Sequence, residues 1–299
     1  MKKPVTFQKI LVPTDFSETG MLAIEHAAFL ARLTKAELFL LHVIPSANYS
    51  FDIIGTAPDM HYHEKINAKV DEKLAEVAER IRKDHGVGVK SIRATGQIAR
   101  ETLDVIKSEK IDLVVMGTHG AKGFEELFIG SNAHKLISVA PCPVLTVQEH
   151  SKKLGFTDIV LPIDRSMHSR EKVEYALVLG EKYAAQIHIL GLNDSNDPED
   201  SPKLQLALDQ VQKAVEQRGL TFTRETIEAK NIGVETLRYA KRINADLIVT
   251  MTDHESELTG IFLGAFAKQI VNHSRIPVLS IKPHVIYAGL DMGGSSSVY

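Results

Sequence analysis

The residues that could do chemistry concentrate between Val114 and Asn132. An apolar run, Leu113, Val114, Val115 and Met116, is broken by Gly117 and Gly120. After nine intervening residues come Gly130 and Ser131, and then a helical pattern begins at Ala133, Leu136, Ile137 and Ala140. A strand, a glycine-rich loop and a helix N-terminus in that order make an anion cradle, because backbone N–H groups point at the ligand and the helix dipole favours negative charge. Glycine is required where a Cβ would block close backbone approach or where φ is positive. Lys122 lies in this loop, but no Gly-Lys-Ser/Thr follows, so the stretch is not a Walker A motif.

Other candidate groups read as ordinary. His119 is a polar loop residue that could touch a phosphate. His61 and His63 form a His-x-His pair in an irregular stretch with no evident third ligand, so no metal site is expected. Cys142 sits between two prolines ahead of an apolar strand and reads as a small buried hydrophobe. No Ser/His/Asp set with a defensible constellation emerges.

The cradle needs a scaffold, and the flanking pattern supplies one. Strands are expected over 8–13, 37–43, 88–94, 111–116 and 143–147, with helices over about 18–33, 63–84, 98–108 and 131–139. The strands are near-continuous apolar runs, which suits a parallel sheet covered on both faces. Ala23, Ala27, Leu30 and Ala31 give the first helix its period. The order predicts an open, doubly wound α/β sheet, in which ligands bind beyond the carboxyl ends of the strands at the switch point. Three segments meet there: Pro13-Thr14-Asp15 after the first strand, Val43-Ile44-Pro45 after the second, and the Gly117–Ser131 cradle after the fourth. The Asp15 carboxylate could accept from a ribose hydroxyl or reach a phosphate-bound metal, and the Val43 backbone could read an adenine edge. Ser46 to Met60 is expected to be a long irregular excursion, and Asn193 to Pro202 an acidic loop.

The pattern occurs twice. Phe7–Ser17 aligns with Phe156–Ser166, Leu38–Val43 with Ile187–Leu192, Glu101–Leu103 with Glu235–Leu237, Ile111–Met116 with the Ala245–Met251 stretch, and Pro141–Val147 with Arg275–Ile281. Five matches in one order predict two tandem five-stranded domains, residues 1–150 and 151–299, joined near Glu149 to Gly155. The last twelve residues are rich in Gly and Ser and are expected to form a flexible tail.

Bulk properties narrow the classes. The chain of 299 residues carries a net charge of −3, with 24% charged and 44% hydrophobic residues, so nothing favours nucleic acid or an anionic membrane as a partner. One cysteine excludes an internal disulfide and suits a reducing compartment. Residues 1–6 run into a strand with no apolar leader, and no run of about 18 apolar residues occurs, so a cytoplasmic location is expected.

The spacing Gly117-x2-Gly120-x9-Gly130-Ser131 resembles the nucleotide signature of the ATP-binding branch of the universal stress protein family, and both copies resemble its domains. The resemblance implies a tandem member with an adenine nucleotide alpha-hydrolase-like fold and a stress-response role. It implies ATP with Mg2+ in the first copy, held by Pro13, Thr14, Asp15, Val43, Met116, Gly117, His119, Gly120, Gly130, Ser131 and Asn132. In the second copy the loops align Thr252-Asp253-His254-Glu255 with Gly117-Thr118-His119-Gly120, with a gap to Gly264 one residue shorter and Ala265 in place of Ser131. On that alignment two cradle glycines are lost and two carboxylates enter, so the second copy should reject ATP and serve as scaffold or hold another ligand. The family commonly dimerises through its last strand. Here the two copies could pair within the chain, alone or with further homodimerisation, and act on an unidentified protein partner. The alternatives are a slow ATP hydrolase, for which a metal and a water suffice, and an interaction protein without nucleotide. In the latter the apolar edge strands Pro143–Val147 and Pro277–Ile281 would matter most.

Overall fold

A computed structural model describes residues 5–45, 60–118, 130–193, 200–252 and 263–283. In the first half, β1 (Lys9–Pro13), α1 (Glu18–Thr34), β2 (Glu37–Pro45), α2 (Met60–His85), β3 (Val89–Gly96), α3 (Ile98–Glu109), β4 (Leu113–Gly117), α4 (Ser131–Val139) and β5 (Val144–Val147) follow in turn. The second half repeats the series with β6 (Asp158–Ile163), α5 (Val173–Tyr183), β7 (Gln186–Asn193), α6 (Asp200–Gln217), β8 (Phe222–Glu228), α7 (Ile232–Arg242), β9 (Leu247–Met251), α8 (Ala265–His273) and β10 (Val278–Ile281).

The described strands form one ten-stranded sheet, ordered β3-β2-β1-β4-β5-β10-β9-β6-β7-β8. Every pairing within a half is parallel. The halves meet where β5 and β10 run antiparallel, with Val278 opposite Thr146 and Ser280 opposite Val144. The Thr146 hydroxyl donates across this seam to Val278 O at 3.2 Å. The two strands expected to be exposed edges are therefore paired with each other, and the free edges are β3 and β8. Both carry charged residues, Lys90 and Arg93 on one and Arg224, Glu225 and Glu228 on the other, which discourages pairing with another chain.

Apolar strands buried on both faces demand two helical layers. One layer is α1, α2, α5 and α6, and its core runs from Ile24 and Leu74 to Leu177 and Leu208. The other is α3, α4, α7 and α8, around Ile106, Leu136, Tyr239 and Ile270. Both cores cross the seam without interruption. The linker is fastened to α1: the His26 imidazole lies 2.7 Å from Ser151 O and stacks on Phe156. Its buried position pulls the His26 pKa down. Gly155 takes φ +83 and passes within 3.3 Å of the Phe29 and Tyr183 rings, measured from where a Cβ would stand.

Three expectations are corrected. Val43, Ile44 and Pro45 belong to β2 and pair with β3 rather than forming a loop. His61 and His63 lie on α2, not in irregular chain, and residues two apart on a helix do not share a face. Asp200, Ser201 and Pro202 open α6, where proline is tolerated because its missing N–H would have no helical partner. The remainder of the two irregular stretches, 46–59 and 194–199, and the C-terminal tail lie outside the described residues. Cys142 is half-buried, and burial first, then the charge of Asp112, pushes its thiol up to about 12.

At the amino ends of the strands the halves use different chemistry. Asp112 accepts from the backbone of Gln8 and Lys9 at 3.0 Å, and Asp246 does the same for Thr157 and Asp158. Beside this shared feature the first half stacks Lys9 and Lys90 over the Phe39 ring. The second half instead has a ladder, Asp158 to His188 at 3.0 Å and His188 to Thr223 at 2.8 Å. An acid–histidine–hydroxyl row thus exists where none was expected. It lies across three adjacent strands, with His188 6% exposed beneath Tyr239, at the amino ends of the second half's strands; because the halves run antiparallel, that is the same end of the sheet as the carboxyl ends of the first half's strands.

Two outcomes follow for stability. Asp246→Ala leaves backbone N–H groups of Thr157 and Asp158 without their acceptor and should cost about 1–3 kcal/mol in urea unfolding. Asp158 is a pH marker. Burial alone would raise its pKa, but hydrogen bonds from His188 and Thr157 and the charges of His188 and Lys153 outweigh burial and hold it low. A depressed carboxyl contributes stability above its unfolded pKa of about 3.9, and that contribution disappears as pH falls through the folded value. Acid unfolding of His188→Phe should therefore show a shallower pH dependence below about pH 4 than the native chain.

Candidate functional site

Beyond the carboxyl ends of β1, β2 and β4 the sheet order reverses, and the candidate residues meet at that switch point. Pro13 ends β1 opposite Leu41. Thr14, 7% exposed, donates its N–H to Leu41 O at 2.8 Å. Strand geometry has period two, so the backbone polar groups of Val43 point the same way as those of Leu41, past the last residue of β1. They face the space in front of Asp15. Asp15 is exposed and accepts from Ser17 N at 3.0 Å, and Phe16 N donates to the Thr14 hydroxyl at 3.0 Å.

The third arm comes from β4 and α4. Met116 is buried, and Gly117 ends β4 opposite Val147. Thr118 N continues the pairing to Val147 O at 3.1 Å, and Gly130 N returns to Thr118 O at 2.7 Å, so the loop is pinned shut at its base. Gly130 is the N-cap of α4 and supplies no side-chain acceptor to the first turn. Ser131 and Asn132 are exposed there, at the positive end of the helix dipole. His119 and Gly120 lie outside the described residues, as does Lys122.

The glycines earn their places by contact. A Cβ on Gly117 would stand 2.9 Å from the Thr19 methyl and 3.1 Å from Thr19 backbone, and one on Gly130 would stand 2.9 Å from Thr118 O. Sequence reasoning missed the partner in this crowding, the first turn of α1. Ser17 caps that helix, accepting from Gly20 N at 3.1 Å, and Gly20 fits with a Cβ position 3.0 Å from the Asp15 carboxylate and 3.1 Å from the Thr14 hydroxyl. The visible signal was a glycine in the first turn of an otherwise good helix.

The second half corrects the loop alignment. Met251 pairs with Ile281 as Gly117 pairs with Val147. Thr252 N bonds Ile281 O as Thr118 N bonds Val147 O, and Gly264 caps α8 as Gly130 caps α4. Gly117 to Met251 and Gly130 to Gly264 are both 134 positions, so the gap is not shorter and Thr252 matches Thr118. The glycine lost at the strand end is replaced by Met251, 2% exposed, and the opposite number of Gly120 is His254. Asp253 and Glu255 stand at the positions of His119 and Ala121. Ala265 and Phe266 replace Ser131 and Asn132.

The start of the matching helix changes in concert. Gly20 becomes Ser169, whose hydroxyl accepts from Asp164 N at 3.0 Å, and Ala23 becomes Lys172, with its ammonium 3.3 Å from that hydroxyl. Both residues are 2% exposed. The first turn of α1 is replaced by a 3-10 turn, Met167–Arg170, and α5 begins only at Val173. Asp164 keeps the turn to Ser166 N at 2.9 Å. A cleft of about 460 Å³ opens elsewhere in this half, at the end of β8, lined by Glu228, Lys230, Asn231, Val234, Glu235 and Arg238. Its two carboxylates balance its two cations and give no preference for phosphate. Among the described residues no group of three His, Cys, Asp or Glu could hold a metal ion.

A doubly wound sheet duplicated across an antiparallel seam, with a glycine-lined loop at the switch point, defines a tandem α/β protein of nucleotide-fold type. The profile of the universal stress protein family matches residues 6–148 and again 155–282, so the chain belongs to that family, as a tandem member. Relatives of single-copy length match one half. Universal stress protein YxiE of Bacillus subtilis is 34% identical over 148 residues, covering 48% of this chain and 99% of its own. Universal stress protein MJ0577 of Methanocaldococcus jannaschii is 33% identical over 156 residues, covering 48% and 96%. The crystal structure of a universal stress protein from Archaeoglobus fulgidus superposes on both halves, with a TM-score of 0.75, 22% identity, and coverage of 94% and 99%.

Enlarging the residue at one of these equivalent positions and shrinking it at the other should both destabilise the chain. Gly117→Ala forces a methyl against Thr19 and should destabilise the chain by about 1–3 kcal/mol. Met251→Gly empties a filled site and should cost about 2–5 kcal/mol. Chemical denaturation of the two variants, read beside the native chain, checks both.

Proposed function

We propose that this chain is an ATP-binding regulator of the stress response, with one Mg2+-ATP site in residues 1–150 and a second half, residues 151–299, that does not take ATP. The observation that carries the reading is the crowding at Gly117 and Gly130: both positions exclude a Cβ, and the helix that starts after Gly130 has no side-chain cap on its N-terminus. A cradle that only glycine can line, with backbone donors and little side-chain bulk, suits a polyphosphate. Asp15 is placed for the ribose or the metal, with Mg2+ held chiefly by phosphate oxygens and water. Pro13, Thr14, Met116, Ser131 and Asn132 complete the contacts among described residues, and His119 and Gly120 are assigned by sequence.

The same comparison supports a silent second half. Met251, Ser169 and Lys172 put larger buried side chains where the first half has Gly117, Gly20 and Ala23. Pairing of β5 with β10 supplies inside one chain the contact that the family resemblance places between two, which supports an intramolecular pseudo-dimer as the working unit. Among the described residues no helix is long and apolar enough to cross a membrane, and we assign the protein to the cytoplasm with a protein partner downstream.

Calorimetric titration with Mg2+-ATP tests the reading. The expected result is one site per chain, abolished by Gly117→Glu. Two sites would overturn the silent second half, and no binding would overturn the nucleotide assignment altogether.

A further inference from the structure

The strongest unexplained feature lies between the two arms of the candidate site. Phe16 takes φ +62, a left-handed conformation that bulky residues adopt rarely. Its ring stacks on His42, with centroids 4.9 Å apart and planes 15° from parallel. His42 Nδ1 lies 2.8 Å from Thr14 O, and a carbonyl only accepts, so that nitrogen carries the hydrogen. His42 therefore holds the β1–α1 loop twice, through the Thr14 backbone and through the Phe16 ring. It stands on β2 immediately before Val43. Asp15 sits in the loop between Thr14 and Phe16. The His42 side chain thus braces the Asp15 arm to the Val43 arm, by its hydrogen bond to Thr14 O and by its stack on Phe16.

The second half has lost this brace along with the cradle. Arg165 stands at the position of Phe16 and Gly191 at that of His42, both 149 residues on. The space is reused: a Cβ on Gly191 would stand 2.7 Å from Leu208 and 2.9 Å from the Thr226 hydroxyl, so no histidine fits. The half with Gly117 at its strand end keeps the brace, and the half with Met251 there has filled the place of the brace.

We infer that the Phe16–His42 stack is a positioning pair that fixes the distance between the β1–α1 loop and the Val43 backbone, and so sets the preference of the first site for adenine over guanine. The inference rests on the proposed nucleotide reading. Adenine and guanine present different donors and acceptors on the same edge, so a backbone held at one spacing discriminates between them. Phosphate affinity from the Gly117–Ser131 cradle is common to both nucleotides.

The test is competition of ATP and GTP, each with Mg2+, in the full chain. Phe16→Gly keeps the left-handed backbone without strain and deletes only the ring. It should weaken ATP about tenfold and GTP far less, so that the selectivity ratio collapses. His42→Ala should do the same, His42→Phe should retain most of the selectivity by restoring the stack, and the double variant Phe16→Gly/His42→Ala should be little worse than either single. Unfolding midpoints measured alongside separate loss of the brace from loss of the fold. Equal weakening of both nucleotides, additive effects, or no change would overturn the brace while leaving the nucleotide reading intact. Failure of the native chain to bind ATP would overturn the reading and the inference together, and native binding without base preference would overturn the inference alone.

Discussion

The antiparallel seam between β5 and β10 is the contact on which the rest of the architecture depends. Each half by itself ends in an apolar strand with one unpaired edge, a ready template for another chain. Joining the two edges removes both liabilities and lets the two helical layers merge into two continuous cores. The seam also fixes where the chain can hide mismatched chemistry. His26 bonding to Ser151, and Phe29, Phe156 and Tyr183 packed around Gly155, fasten the linker to the α1 side of the sheet. The linker thus becomes part of the core instead of a tether.

Duplication under one sheet frees one half to change. The parts that hold strands in register are retained in both: Asp112 and Asp246 anchor the strand starts identically, and Gly130 and Gly264 cap equivalent helices. The residues around the first site are retained only once. Ser169, Lys172, Gly191 and Met251 stand in the places of Gly20, Ala23, His42 and Gly117. Met251 can stand at the strand end because the helix opposite no longer begins with a tight α turn. Ser169 is tolerated because its hydroxyl now accepts from the Asp164 backbone rather than crowding the loop.

Much of this was legible in the sequence, and the exceptions have physical reasons. Period, apolar runs and the internal repeat located the strands and helices within a few residues, because a doubly wound sheet writes its layers directly into hydrophobicity. The cradle was legible because glycines spaced between an apolar strand and a helix start form a local signal in the sequence, readable without knowing which partner crowds them. Thr19 and Gly20 were not legible, since their role is set by the approach of α1 to β4, a contact across nearly a hundred residues. The loop of the second half was misaligned for a related reason. Chemical likeness between short segments favoured Thr252 opposite Gly117, whereas backbone pairing with β10 puts Met251 there. The Asp158–His188–Thr223 row was invisible because it is assembled by strand register alone.

That misalignment changes the physical account of the second half. On the sequence alignment, the argument against a phosphate combined lost cradle glycines with carboxylates in the loop. On the structural one the first obstacle is steric: a buried methionine occupies the strand end, and a buried ammonium lies beneath the first loop. That ammonium is itself engaged, with the Ser169 hydroxyl 3.3 Å away, so packing decides the matter. Packing wins because a ligand would have to displace side chains that are 2% exposed, and interiors at crystal-like density yield only by opening a cavity or shifting backbone. The asymmetry of the two halves is therefore a property of their cores.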